Sequence, residues 1–390
     1  MSALRFNVEE RRRRLARRHH LLPSHPGSDI ASVAERMVGL HASDPTTVYL
    51  SAWARVPGLR VADVEHALYD EITVVRHLCM RRTLFVLPPA LVRVTQAAAT
   101  DTVAARMRTR LAKELVAEGI TDNGDRWLSG VIEQTVDEIR RTGPSTGSQL
   151  AKAVPLLQTK LAGAGPVAAA VTARVVTLAA AEGRLERGRP QGSWTSSTHR
   201  WRMPADRPPA PSKRDAIVEL VRHWLAAFGP AAPTDIVWWT GLGITEVKLA
   251  LAALGVVAVD LDGQPGVVLA DDVEPEPEVQ PWVALLPSLD PTPMGWRSRD
   301  WYLGQHGPRL FDYSGNIGPT VWCDGRIVGG WAVRAGATKG TSQVVFELFD
   351  DVGRAASQSV AQRAAQLESW LAGTVVTPRF PTPIDRSLRS

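Results

Sequence analysis

The chain has 390 residues, of which 44% are hydrophobic and 22% charged, and a formal net charge of +5; this is the composition of a globular protein large enough for more than one compact region. Cys79 and Cys323 are its only cysteines, which excludes a disulfide framework and a CxxC metal site. No apolar run reaches bilayer length and no leader pattern opens the chain, so a reducing cytoplasm is the expected compartment.

Near the amino terminus Arg11, Arg12, Arg13, Arg14, Arg17, Arg18, His19 and His20 crowd one short stretch. Such a run suits phosphate or another polyanion, and a solvated helix face is its plain alternative. From Asp29 to Leu40, Ile30, Val33, Met37 and Leu40 recur at spacings of three and four and predict a helix, which Asp44-Pro45 breaks. A second helix is expected through Val48, Leu50 and Trp53, ending at Pro57-Gly58, and a third over Val61 to Tyr69. Two β-prone runs, Val74 to Met80 and Thr83 to Leu87, follow around Arg81-Arg82. Three helices and a hairpin are the order of a winged helix.

The same order recurs. Gly143-Pro144 leads into Ser145 to Leu150, then helix through Pro166 to Ala181, then a hairpin from Arg184-Leu185-Glu186 to His199-Arg200-Trp201-Arg202. Gly229-Pro230 leads into Thr234 to Thr240, a helix over Ile244 to Leu254, and a hairpin pairing Val256 to Val259 with Val267 to Leu269. Thr95 to Arg141 carries long helical patterns, and Pro204 to Pro211 is a proline-rich connector. Beyond Glu274 the pattern turns to strands: Trp282 to Leu286, Thr320 to Cys323, Ile327 to Trp331 and Val344 to Leu348, with Asp324-Gly325 as a hairpin turn and Val360 to Leu371 as a closing helix. The fold class expected is α+β: winged-helix units over 1–95, 142–208 and 209–273, a helical connector over 96–141, and a strand-rich subdomain over 274–390 packed on the third unit, together forming a clamp for DNA.

Three stretches carry a resemblance: Met37 to Pro45 with Tyr49 to Arg55, Arg76 to Pro88, and Leu286-Pro287-Ser288-Leu289-Asp290-Pro291 with Gly315 to Val321 and Asp324 to Gly329. With Gly229-Pro230 through Leu242, they resemble the bacterial winged-helix DNA glycosylases that unhook interstrand crosslinks, the azinomycin self-resistance type, over nearly the whole chain. The resemblance implies a repair glycosylase acting on double-stranded DNA that carries alkylated bases. No cofactor or metal is expected, and a monomer is expected because nothing in the sequence demands a dimer. The family's catalytic loop reads Leu-Gln-Ala-Gln-Asp-Pro or a Gln-x-Asp variant, where this chain has His41 and Ser43.

An alkylated purine leaves as a neutral base from an oxocarbenium-like sugar, so the site needs a held water and nearby negative charge rather than a strong acid. His41 is the expected base or water-holder, Ser43 shares the water, and Asp44 either supplies charge or caps the next helix. No lysine lies in the loop to form a Schiff base, and no Gly-x-Ser-x-Gly elbow surrounds Ser43. Arg11, Arg12, Arg13, Arg14, Arg76, Arg81, Arg82, Arg200 and Arg202 are the expected phosphate contacts, with exposed strand or helix charge as the alternative. Trp194, Trp201, Trp238, Trp239, Trp296 and Trp301 are assigned to no base, since most tryptophans are core or interface residues. No HExxH spacing occurs among the histidines. The competing functions are a non-catalytic winged-helix binder or regulator, and a scaffold or antitoxin-like partner that touches no nucleic acid.

Overall fold

Local signals place most helix ends. Asp29 caps Ile30–Arg36 in a reciprocal box with Ser32, Asp44 caps Pro45–Trp53 with proline in its first turn, and Thr146 caps Gly147–Ala153 in a box with Gln149. Gly241 and Gly255, both at positive φ, end Pro233–Thr240 and Ile244–Leu254.

The computed structural model describes residues 4–162, 169–207 and 209–390. The chain runs β1 (Leu4–Arg5), α1 (Val8–Arg18), α2 (Ile30–Arg36), β2 (Leu40–His41), α3 (Pro45–Trp53), α4 (Val61–Tyr69), β3 (Val75–Cys79), β4 (Thr83–Leu87), α5 (Pro89–Thr95), α6 (Asp101–Ala117), α7 (Gly124–Thr142), β5 (Ser145–Thr146) and α8 (Gly147–Ala153). It continues through β6 (Lys160–Leu161), β7 (Ala169–Ala170), α9 (Thr172–Ala181), β8 (Glu186–Pro190), β9 (His199–Arg202), α10 (Lys213–Phe228), α11 (Pro233–Thr240), α12 (Ile244–Leu254), β10 (Val257–Leu261), β11 (Gln264–Val268) and β12 (Val283–Leu286). The last elements are α13 (Asp300–Leu303), α14 (Gly307–Leu310), β13 (Thr320–Cys323), β14 (Arg326–Ala335), β15 (Ser342–Leu348), α15 (Gly353–Leu371) and α16 (Pro383–Arg389). The class is mixed α+β, as expected.

These elements gather into two units, Met1–Val64 with Val218–Ser390, and Glu65–Ile217. In the first, β1 runs parallel to β10, which pairs with β11 across an Asp262-Gly263 turn with both residues at positive φ. An antiparallel sheet in the order β12-β13-β14-β15 turns at Asp324-Gly325 in the same way. Helix α15 packs against β12 and β15, and α16 against β14. In the second unit β4-β3-β8-β9-β5 form a sheet, beside a core of Leu115, Leu128, Val131, Val136, Ile139, Leu150, Val175, Leu178 and Trp201 from α6 to β9. The expected segment boundaries after residues 95, 141 and 208 fall within this unit, and the one after 273 within the other.

Some bounds differ from expectation. Helix α2 stops at Arg36 because Val38 and Gly39 take φ of 53° and 107°, and a β-branched residue in the left-handed region is a strained outlier. The closing helix begins at Gly353, a turn and more before Val360. The long helical stretch is broken by a π-turn over Gln96–Thr100 and by the loop before Gly124. Residues 166–168 of the expected second-unit helix and Pro208 of the connector lie outside the described residues.

Candidate functional site

The loop that follows the strained Val38-Gly39 step places His41 at the end of β2 and Ser43 two residues on, in a bend before α3. His41 is 9% exposed and Ser43 half-buried. The Ser43 amide donates to His41 Nδ1 at 3.4 Å, a long hydrogen bond. A ring that accepts at Nδ1 and is neutral carries its proton on Nε2, which then donates. The Ser43 hydroxyl has no hydrogen-bond partner among the described residues, so it is open to solvent.

Asp44 is fixed more tightly than its neighbours. It is 2% exposed; Oδ1 accepts from the Thr46 amide at 2.9 Å and the Thr46 hydroxyl at 2.7 Å, and Oδ2 accepts from the Arg379 amide at 2.8 Å. Of the two roles expected for it, the helix cap is the one its geometry displays, and both oxygens are committed. Arg379 also donates from Nη1 to the Ser43 carbonyl at 3.2 Å. Below Asp44 the space bounded by Thr47, Leu50, Ser288, Trp331 and Val376 amounts to about 10 Å³, room for one water and no more.

Helix α3, buried from Thr46 to Trp53, is anchored on the segment after β12. Thr47 Oγ1 donates to the Ser288 carbonyl at 2.8 Å and Ser51 Oγ to Asp290 Oδ2 at 2.7 Å. Arg55 forks onto both Asp290 oxygens at 2.8 and 2.7 Å, and reaches Thr292 and the His19 carbonyl. Ser288 Oγ and the Leu289 amide both donate to the Ile317 carbonyl. The signature stretches 49–55, 286–291 and 315–321 are thus one mutual brace that holds the helix on which the loop ends.

The basic run does not behave as one surface. Arg14 is 1% and Arg18 4% exposed, and His19 is fully buried. Arg14, expected as a phosphate contact, is turned into the protein and paired with Glu10 at 2.7 Å and Asp272 at 2.9 Å. Arg11, Arg12 and Arg13 are half-buried; Arg11 stacks 4.2 Å over Trp301, Arg12 Nε donates to the Trp301 carbonyl, and Arg13 pairs with Glu10. His19 bridges Thr292 and the Ala227 carbonyl; burial first, and then Arg55, hold its pKa well below the usual range.

In the second unit Arg81 and Arg82 stand exposed at the β3–β4 turn, both at positive φ. Arg76 is 9% exposed, Arg200 is half-buried and donates to the Pro144 carbonyl, and Arg202 pairs with Glu186 at 3.2 Å. Of the six tryptophans singled out, Trp194, Trp201, Trp239 and Trp296 are buried, and Trp238 and Trp301 half-buried. Among the described residues no cluster of three metal-ligating side chains occurs, and no helix is long and apolar enough to cross a membrane.

The anchoring roles of Arg55 and Asp290 and the clasp of Arg379 were not expected from sequence. Arg379 has no local signal, since Asp44 lies 335 positions away.

A family model described as DNA glycosylase AlkZ-like matches residues 34–370. Among solved structures, the Streptomyces sahachiroi DNA glycosylase AlkZ is similar in fold, with a TM-score of 0.73 at 20% identity, covering 96% of this chain and 99% of that one. No curated protein matches the chain.

Proposed function

This chain belongs to the AlkZ-like DNA glycosylase family, and we propose that it hydrolyses the N-glycosidic bond of alkylated purines in duplex DNA, bulky adducts and interstrand crosslinks being within its substrate class. The family match over residues 34–370 carries the reading; the loop geometry gives it a mechanism. The departing alkylpurine needs no strong acid, because bond cleavage neutralises its charge while positive charge develops on the sugar. Water is the nucleophile at C1′. Ser43 Oγ accepts a hydrogen bond from it, and His41, the water-holder, takes its other proton at Nδ1 as it attacks, displacing the long bond from the Ser43 amide. Asp44, held by Thr46 and Arg379, supplies a fixed negative charge beside the cationic sugar.

On this reading the three helix-helix-hairpin segments within 1–95, 142–208 and 209–273 are tandem winged-helix units on nucleoid DNA in the cytoplasm, and the protein acts as a monomer. Arg81 and Arg82 are the phosphate contacts best supported by exposure, with Arg11, Arg12, Arg13, Arg200 and Arg202 contributing after rearrangement. No lysine lies between Leu40 and Pro45, so the enzyme is monofunctional. A second reading, a non-catalytic winged-helix DNA binder or regulator, is favoured by His41 and Ser43 standing where the family has glutamines.

The test is single-turnover incubation with duplexes carrying N7-methylguanine, N3-methyladenine or a nitrogen-mustard crosslink, followed by alkaline cleavage and, separately, borohydride trapping. Abasic sites without a trapped protein adduct are expected. Tight binding with no abasic product on all three assigns the second reading.

A further inference from the structure

On one face of the sheet in the second unit, the buried guanidinium of Arg76 has no acid partner among the described residues. Arg76 of β3 is 9% exposed. Its Nη1 donates to the Tyr69 hydroxyl, while its Nη2 is buried with no hydrogen-bond partner. Directly opposite, in register on the antiparallel β8, stands Arg187. Like charges facing across a strand pair destabilise it, and a buried guanidinium with an unused donor is costlier still.

The acids nearby are already engaged. Glu186 alternates to the other face of the sheet and is held there by Arg202 and Arg207. Glu65 and Asp70 pair with Arg189 at 3.3 and 2.9 Å. No acid among the described residues pairs with Arg76 within ion-pair distance.

The same face carries a second orphan. Arg187 is in register with Trp201 of β9 and lies 5.4 Å over its ring. His199, two residues along the same strand, sets its ring edge-on to Trp201 at 4.8 Å. Its Nδ1 is bonded to the Ser197 carbonyl, and its Nε2 is buried without a partner. Arg187 and His199 are half-buried and Arg189 is exposed, so the face is open at that edge and closed at Arg76.

We propose that the face built by Tyr69, Arg76, Arg187, His199 and Trp201 binds a phosphate group. A phosphate supplies several acceptor oxygens to one site, answers the buried fork of Arg76 and places negative charge between two opposed guanidiniums. The phosphate can belong to a DNA backbone or to a small phosphorylated molecule; the first source rests on the glycosylase reading, and the site itself does not.

His199 reports occupancy. Its pKa lies at about 4, lowered by burial and then by Arg187 and Arg76, and an anion at its Nε2 raises it, because the charged ring gains an acceptor and a countercharge. The experiment follows the His199 Cε1 proton by NMR through a pH titration of the full chain, alone, with inorganic phosphate, and with an undamaged duplex. The expected result is a midpoint moved up by about one pH unit or more, with phosphate affinity roughly tenfold weaker in Arg187→Gln. Arg187→Gln is preferred to Arg76→Gln because it is half-exposed and leaves the packed floor intact. A shift with both probes identifies a backbone phosphate, and a shift with inorganic phosphate alone identifies a small phosphorylated ligand. A midpoint that neither probe moves, or a phosphate affinity that Arg187→Gln leaves unchanged, overturns the proposal. Base release is not part of the readout, so a protein that binds phosphate here but forms no abasic sites keeps this site and loses the glycosylase reading.

Discussion

The guanidinium of Arg55 and the carboxylate of Asp290 meet as a fork at 2.8 and 2.7 Å with both side chains entirely buried. They stand 235 positions apart in sequence, yet they set the seating of α3, whose first residue follows the Asp44 cap. The brace is therefore a positioning device for the His41 to Asp44 loop. Because each charge is buried, its worth lies in being complete: a lone survivor is far more costly than the pair is favourable.

Asp290→Ala is accordingly expected to lose about 3–5 kcal/mol of stability, read by denaturant unfolding, whereas Arg55→Met with Asp290→Leu loses much less than the single variant. Equal loss in the single and the double variant contradicts the brace.

The burial of Arg14 against the exposure of Arg81 and Arg82 separates stability from binding. Arg81→Ala and Arg82→Ala are each expected to change stability by no more than about 0.5 kcal/mol and to lower the slope of log affinity for duplex DNA against log salt by about one. Arg14→Ala, which leaves Glu10 with Arg13 and Asp272 with Arg18 as their remaining arginine partners, is expected to cost about 1–3 kcal/mol and to leave that slope unchanged in the folded fraction. A steep salt effect for Arg14→Ala restores it as a phosphate contact.

His77 gives the second unit an acid-sensitive point. Burial, and then the charge of Arg207, lowers its pKa to about 3, and Nε2 lies 3.2 Å from the Thr100 hydroxyl. An unfolded histidine titrates near 6.5, so between that value and about 3 the unfolded chain holds the extra proton. Stability from the neutral ring is complete above pH 6.5 and declines as pH falls through the window, by roughly 1.4 kcal/mol per pH unit. Urea melts at pH 7, 5.5 and 4.5 are expected to show a shallower decline for His77→Gln than for wild type. Parallel declines rule out His77 as the source.

Asp44 caps α3 through Oδ1 and accepts from the Arg379 amide through Oδ2. Asp44→Ala removes the cap and is expected to cost about 1–2 kcal/mol. Asp44→Asn can keep the Thr46 bonds through its remaining oxygen but cannot accept from the Arg379 amide, so it falls between. If the fixed charge also favours the cationic sugar, Asp44→Asn slows base release by more than its stability loss accounts for, in assays well below its melting temperature. A rate equal to wild type leaves Asp44 a cap alone.

Much of the fold was legible because its signals are local. The Asp324-Gly325 turn, the helix Ile244–Leu254 closed by Gly255, and the strand pair around Arg81-Arg82 all follow from residues within a few positions of each other. The position of the loop carrying His41, Ser43 and Asp44 was legible from the stretches flanking it. What escaped was every feature settled by a distant partner. Six arginines in one run read as a surface, but Asp272, 258 positions from Arg14, draws two of them inward. Arg379 reaches Asp44 from 335 positions away, and the unpartnered nitrogens of Arg76 and His199 become visible only when β3, β8 and β9 lie side by side.

The most direct measurement compares wild type with His41→Ala and Ser43→Ala in single-turnover release of an alkylated purine from duplex DNA, with duplex affinity and melting temperature determined on the same preparations. Release by wild type is expected, with a loss of roughly a hundredfold in His41→Ala and at least about tenfold in Ser43→Ala, and affinity and stability close to wild type in both. Wild-type rates retained in both variants would contradict a water held between His41 and Ser43, and so the mechanism built on that loop.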